Sequence, residues 1–298
     1  MFFILLDRPD RLGSHIMFYI GQIMYAHKNR CIIRFREGGA VSYRYYSSPF
    51  IRILFDYIEN QNARFYAEGV EEGELWDTLY GFAVDYRQID GFLLGITTFL
   101  YSLECDYLTY FRRHIWPSIG AKVAGLRELS FLSPLPFSSD KTILVHLRLD
   151  DVAQVADYDG SVCSQYYRRK IENQELCTHY TDGLNNRQAP LSRAKLEEII
   201  YMTKTEFPDR KVVLLTSPGS DTSGWPYDVI KNDDPNYDLY LLTQCDVVVL
   251  SRSTFAFSSL FFRDSPLRAY IPLWGHFVCF GLTSKYDQIG DSMVEYFT

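Results

Sequence analysis

Two short runs constrain this chain most. Val212-Val213-Leu214-Leu215 and Val247-Val248-Val249-Leu250 are continuously apolar and dominated by branched side chains. Runs of that kind fit strands buried on both faces, the situation of a parallel sheet covered by helices. A third such run spans 142–147, and helical patterns separate the three. Residues 191–205 place Leu196, Ile199, Ile200 and Met202 on one face, 237–244 form a short helix, and another helix opens at Thr254 and continues to 262. Alternation of strands and helices predicts a doubly wound α/β domain. The N-terminal stretch repeats the theme. Residues 2–6 read as a strand, 7–14 as a polar turn with Ser14 as N-cap, 16–27 as an amphipathic helix (Ile16, Met17, Ile20, Ile23, Met24), and 31–35 as a second strand. Strand, helix and strand in so short a span is a βαβ unit.

Residues 40–130 read as mixed, mostly helical and aromatic, with the better helices at 50–58 and 97–111 and an acidic patch of Glu68, Glu71, Glu72, Glu74 and Asp77 between them. Pro134, Pro136 and several serines give 130–140 the composition of a connector. The expected division is therefore 1–132 and 133–298, and a chain of 298 residues has room for two domains.

Composition then removes several functions. Lys and Arg number 30 against 37 Asp and Glu, a net charge of −7, whereas a protein held on nucleic acid through phosphates needs a basic footprint. No nucleic-acid partner is expected. No apolar run reaches the roughly 18 residues of a spanning helix, so no membrane span is expected. The start lacks a basic segment and meets a charge at Asp7, unlike a signal peptide. The six cysteines form no C-x-x-C pair. Reduced thiols and a cytoplasmic location follow as expectations.

Three strand-to-helix loops carry the polar chemistry. The first is 7–15, where Arg11, Gly13, Ser14 and His15 precede or open a helix, a place that favours an anion; an ordinary capped turn is the plain alternative. The second follows the 142–147 strand, where His146, Arg148 and Asp150 stand at a strand end. Arg148 suits phosphate oxygens through its planar fork, and Asp150 or Asp151 suits orienting that arginine or accepting from a ribose or base. The plain alternative is a solvent-facing ion pair. The third is Ser251, Ser253, Thr254 and Phe255, rich in donors at a helix start, with Phe255 as a wall for a base or sugar; a simple N-cap is the alternative there.

The three loops together resemble a known family. Arg11-Leu12-Gly13-Ser14-His15 resembles the G-R-x-G-N-Q turn of fucosyltransferases, His146-Leu147-Arg148-Leu149-Asp150 their H-x-R-x-G/D motif, and Ser251-Arg252-Ser253-Thr254-Phe255 their S-x-S-[ST]-F motif. The superfamily is the one holding the α1,2-, α1,6- and protein O-fucosyltransferases. Ser14 stands for its Asn, His15 for its Gln and Asp10 for its leading Gly. The compact glycosyltransferases of large algal viruses are a second kinship, with the host cytoplasm as the implied location. The resemblance implies a GT-B architecture, two Rossmann-like domains facing across a cleft. It also implies inverting transfer of a fucose-, xylose- or rhamnose-class sugar from a GDP- or UDP-linked donor to an oligosaccharide or glycoprotein hydroxyl, with no metal and no further cofactor. Arg148 would stabilise the leaving diphosphate, Ser253, Thr254 and Phe255 would hold phosphates and nucleoside, Arg11 and Gly13 would approach from the other domain, and the loop 216–225, which holds Ser217, would lie near the base.

Inversion requires a base for the acceptor hydroxyl. Candidates are Asp10, His15, Asp7, Glu37 and the acidic patch, with Asp10 favoured for its place in the loop. Tyr43, Tyr45, Tyr46 and Trp76 are candidates for stacking on acceptor sugars, with core packing the competing role. The rival readings are a non-catalytic nucleotide-sugar or carbohydrate-binding protein and a virion scaffold. A serine hydrolase is disfavoured because no G-x-S-x-G elbow occurs.

Overall fold

A computed structural model describes residues 2–5, 7, 11–70, 107–129, 134–149, 191–263, 268–272, 286–289 and 292–297. The chain divides into two compact units, Met1–Leu126 and Arg127–Val278 with Leu282–Thr298. The division falls ahead of the proline-containing connector.

In the first unit, β1 (Phe2–Ile4) pairs in parallel with β2 (Ile32–Arg34). Helix α1 (Leu12–Asn29) joins them and buries Ile16, Met17, Ile20, Ile23 and Met24. This is the expected βαβ unit with an earlier helix start. Arg11, not Ser14, occupies the N-cap position, because the His15 N–H already bonds the Arg11 carbonyl at 3.1 Å and closes the first turn there. Gly13, Ser14 and His15 therefore lie inside the helix. The helix ends at Arg30, whose left-handed φ of 52° turns its N–H back onto Ala26 and His27 carbonyls. Three further helices follow among the described residues: α2 (Pro49–Ala67), α3 (Tyr107–His114) and α4 (Trp116–Ala124). Pro49 starts α2 where its missing N–H costs nothing, and Phe50, Ile51, Leu54, Phe55 and Ile58 form its buried stripe.

The second unit is an α/β layer structure. Its parallel strands are β3 (Thr142–His146), β4 (Lys211–Thr216), β5 (Asp228–Lys231), β6 (Val247–Val249), β7 (Arg268–Pro272) and β9 (Ser292–Phe297), with β8 (Tyr286–Ile289) antiparallel at the edge. The sheet order is β5-β4-β3-β6-β7-β9-β8. Counting the parallel strands alone in chain order gives 3-2-1-4-5-6, which reverses between β3 and β6.

Helix α5 (Arg193–Glu206) covers one face. Its Leu196, Ile199 and Ile200 pack with Ile143, Val145, Val212, Leu214, Val247 and Val249. The alternate residues Leu144, Val213 and Val248 point to the other face and are also buried, which is why these strands read as unbroken apolar runs. Met202 departs from expectation. It is 40% exposed, because successive residues of a helix turn by about 100° and Thr203, not Met202, completes the buried stripe. Ser192 caps α5, its side chain accepting from the Lys195 N–H. Helix α6 (Pro235–Gln244) is capped by Asp234 and buries Leu239, Leu241 and Leu242. Helix α7 (Thr254–Ser258) stops short of the expected length and tightens into a 3-10 turn over Ser259–Phe261.

Candidate functional site

Every parallel strand of the second unit delivers its carboxyl end to one edge of the sheet, and a crevice forms where the strand order reverses. Here that place is the gap beyond β3 and β6. Backbone pairing sets the neighbours: Val145 stands beside Val249, and the Leu147 N–H bonds the Leu215 carbonyl at 2.8 Å. The segments after β3 and β6 are therefore forced side by side, although more than 100 residues separate them (His146 to Ser251).

Two hydrogen bonds lace those segments together. His146 Nδ1 and Ser251 Oγ share one of 2.6 Å, and Arg148 Nη1 donates to the Arg252 carbonyl at 3.2 Å. His146 is nearly inaccessible, and burial, helped by the charge of Arg148, pushes its pKa down to about 3. The imidazole is therefore neutral at ordinary pH. It positions the Ser251 hydroxyl and is too weak a base to activate it. Ser251 and Ser253 are buried, whereas Arg148, Thr254 and Phe255 are half-buried. Phe255 lies 5.9 Å from the His146 ring, tilted by 38°.

The donor supply of the third loop differs in detail from the sequence expectation. The Ser253 N–H is committed to the Ser251 carbonyl at 2.8 Å, and Ser253 makes no side-chain cap. The first intrahelical bond runs from the Phe257 N–H to the Ser253 carbonyl. The N–H groups of Thr254, Phe255 and Ala256 lie ahead of it. The helix has only five residues, so its dipole adds little and the local hydroxyls and N–H groups dominate.

One strand further out, Ser217 joins a hydroxyl chain: Thr216 Oγ1 donates to Ser220 Oγ at 2.9 Å, and Ser217 and Ser220 share a bond of 2.8 Å. Lys231, ending β5, donates to the Ser220 carbonyl at 2.7 Å. Arg252 and Lys231 were not among the expected site residues, whereas Ser220 lies in the loop expected near the base. Arg252 sat inside a quoted motif, but its 2% exposure is invisible in sequence. Lys231 ends a strand too short and too polar to announce itself. Asp150 and Asp151 lie outside the described residues.

The first loop resolves into a different object. Arg11 is exposed at the N-cap, Ser14 is half-buried, and Gly13 is buried in the first turn. His15 is wholly buried, its Nδ1 2.9 Å from Asp7 Oδ1. Tyr19 donates its hydroxyl to the same oxygen at 2.8 Å, while the Arg44 N–H at 3.3 Å and the Arg36 guanidinium at 3.5 Å engage Asp7 Oδ2. Burial alone would raise the Asp7 pKa, but the hydrogen bonds from His15, Tyr19 and Arg44 and the His15 charge outweigh it and bring it down to about 2. Tyr43 is buried, its hydroxyl donating to the Leu5 carbonyl at 2.7 Å, so it anchors the segment and is not a stacking platform. Tyr45 remains partly exposed, and Trp76, Asp10 and, apart from Glu68, the acidic patch lie outside the described residues. Glu68 pairs with Arg30 at 2.8 Å at the end of α2, a structural contact.

The depressed Asp7 predicts a pH signature. In the unfolded chain Asp7 ionises near 3.8, in the fold near 2. Stability from this group is present above 3.8 and is lost as pH falls through 2. Wild type should lose on the order of 1–2 kcal/mol relative to Asp7→Asn over that window. Urea titrations of both proteins from pH 5 to 2 measure it, and parallel curves would reject the assignment.

No protein-family model, no curated protein and no solved structure matches the chain. The likeness to fucosyltransferases therefore rests on the three motifs alone. Among the described residues no cluster of three or more His, Cys, Asp or Glu is placed to hold a metal, and no helix is long and apolar enough to cross a membrane.

Proposed function

We propose that the protein is a glycosyltransferase that moves a sugar from a nucleoside diphosphate to an acceptor hydroxyl with inversion, and that the crevice at β3 and β6 holds the donor. The observation that carries this reading is the pair of strand-end bonds, His146 to Ser251 and Arg148 to the Arg252 carbonyl. They collect a guanidinium, two serines and the Thr254 hydroxyl at the reversal of a parallel sheet. Breaking the bond between anomeric carbon and diphosphate builds negative charge on the leaving oxygen, and fixed donors are most effective where charge develops. Arg148 supplies a planar fork for that oxygen. Phe255 offers a ring face, and the Ser217–Ser220 hydroxyls lie one strand away, about 5 Å along the sheet edge, within reach of a ribose. In this reading the chain is of the GT-B kind, with the acceptor on the first unit.

Metal independence is part of the proposal and needs its own control. The sequence contains one Asp-x-Asp triplet, Asp157-Tyr158-Asp159, outside the described residues, and paired carboxylates are ready oxygen ligands for a divalent cation.

Calorimetric titration with GDP, UDP and dTDP and their sugar conjugates, each with and without Mg²⁺ or Mn²⁺, tests the reading. Micromolar, metal-independent binding of one diphosphate is the expected result. Absence of binding by all of them overturns it. Binding without transfer to any acceptor would favour a nucleotide-sugar-binding protein.

A further inference from the structure

We propose that Lys231 selects the nucleobase of the donor, taking a base whose exocyclic group is a carbonyl oxygen and disfavouring one that carries an amino group there. This rests on the donor site proposed above and names a residue that chooses what the site takes.

Three strand ends set the distances. Lys231 closes β5 and stands beside Thr216, the last residue of β4, while Leu215, one residue back, stands beside His146 at the end of β3. Adjacent strands lie about 5 Å apart, so Lys231 is about 10 Å along the sheet edge from the end of β3. A nucleotide that follows this edge with its diphosphate at Arg148 carries its ribose past the end of β4 and its base to the end of β5.

Counting protons shows what those two ends offer. Thr216 Oγ1 donates to Ser220 Oγ at 2.9 Å, and Ser220 and Ser217 share a bond of 2.8 Å. Ser220 is 4% exposed, and among the described residues its hydroxyl bonds these two neighbours alone. If Ser217 were the donor, the Ser220 proton would be buried without an acceptor, an arrangement that folded proteins avoid. Ser220 therefore donates to Ser217, and the half-buried Ser217 keeps its own proton to give. Lys231 adds an ammonium. One of its three protons goes to the Ser220 carbonyl at 2.7 Å. Asp221, a carboxylate of the same turn, accepts from the Ser223 N–H at 2.8 Å and is not paired with the lysine.

The consequence is a matter of donors and acceptors. An ammonium has protons to donate and no acceptor to offer. A carbonyl oxygen arriving at the end of β5 receives those protons. An amino group in the same place sets donor against donor and gives up its hydrogen bonds to water. The Ser217 proton suits a ribose oxygen, which every nucleotide carries, so the choice between bases falls to Lys231.

The test compares nucleotides that exchange a carbonyl for an amino group on the same ring: UDP with CDP, and inosine diphosphate with ADP. Calorimetry of wild type, Lys231→Met and Lys231→Glu measures both members of each pair. In whichever pair binds, wild type should hold the carbonyl member about tenfold or more tightly. Lys231→Met should bring that ratio to within about twofold, and Lys231→Glu should reverse it, because a carboxylate accepts from an amino group. The ratio separates base selection from the plainer roles of this lysine. Its attraction for the diphosphate is equal within a pair, and its tether on the Ser220 carbonyl acts on both members alike. Lys231 is exposed on an edge strand, so both variants should fold, and their thermal unfolding checks it. A wild-type ratio within about twofold overturns the selection, and an unchanged ratio in Lys231→Met overturns the assignment to Lys231. Either result, with diphosphate binding intact, removes this inference alone. A wild-type chain that binds no nucleoside diphosphate removes the donor-site reading and this one with it.

Discussion

Arg148→Ala should bind its nucleoside diphosphate about 100-fold more weakly than wild type, a loss of roughly 3 kcal/mol. The size follows from position. Arg148 stands just past β3 at the reversal of the sheet, it is half-buried, and one of its nitrogens is fixed on the Arg252 carbonyl. A partly desolvated guanidinium already held in place loses little freedom on binding, so more of its attraction for a diphosphate appears as affinity. Arg148→Lys should recover about a tenth of the affinity at most, since an ammonium is a point charge without the planar fork. Thermal stability should change far less than binding, because Arg148 is half-buried past a strand end and not part of the apolar core. Calorimetry of the three proteins measures the effect. An alanine variant within about threefold of wild type would remove Arg148 from the phosphate site.

How much of this was legible beforehand depended on whether the signal was local. The apolar runs at β3, β4 and β6 announce themselves because helices cover both faces, leaving no polar alternation to confuse the reading. Helix α5 was equally plain, with its capping Ser192 and buried Leu196, Ile199 and Ile200. Strand β5 was not, because Asp228-Val229-Ile230-Lys231 lies at the sheet edge and is half polar. The site divides the same way. Strand ends rich in polar groups could be read from the sequence, and the structure brings His146 to Ser251 and Arg148 to Arg252. The Asp7–His15 contact could not, because it needed the knowledge that α1 begins at Leu12 and turns His15 inward. A reading that starts the helix at Ile16 leaves His15 as one more loop side chain.

The neutral state of His146 has a cost that acid should reveal. In the unfolded chain this imidazole takes up a proton below its ordinary value of about 6.5; in the fold, burial and the charge of Arg148 delay that until about 3. Between those values the unfolded state binds the additional proton, so stability falls as pH drops, by at most about 1.4 kcal/mol per unit. His27 in the first unit acts in the same direction. Burial, with His114 and Arg64 beside it, lowers its pKa to about 4. His146→Gln isolates the larger contribution, because glutamine can still bond Ser251 but has no proton to gain. Wild type should lose up to about 4 kcal/mol more than His146→Gln between pH 6.5 and 3, read from urea titrations of both proteins. Equal slopes in the two proteins would mean that the imidazole is charged in the folded state and that Ser251 is positioned by another group.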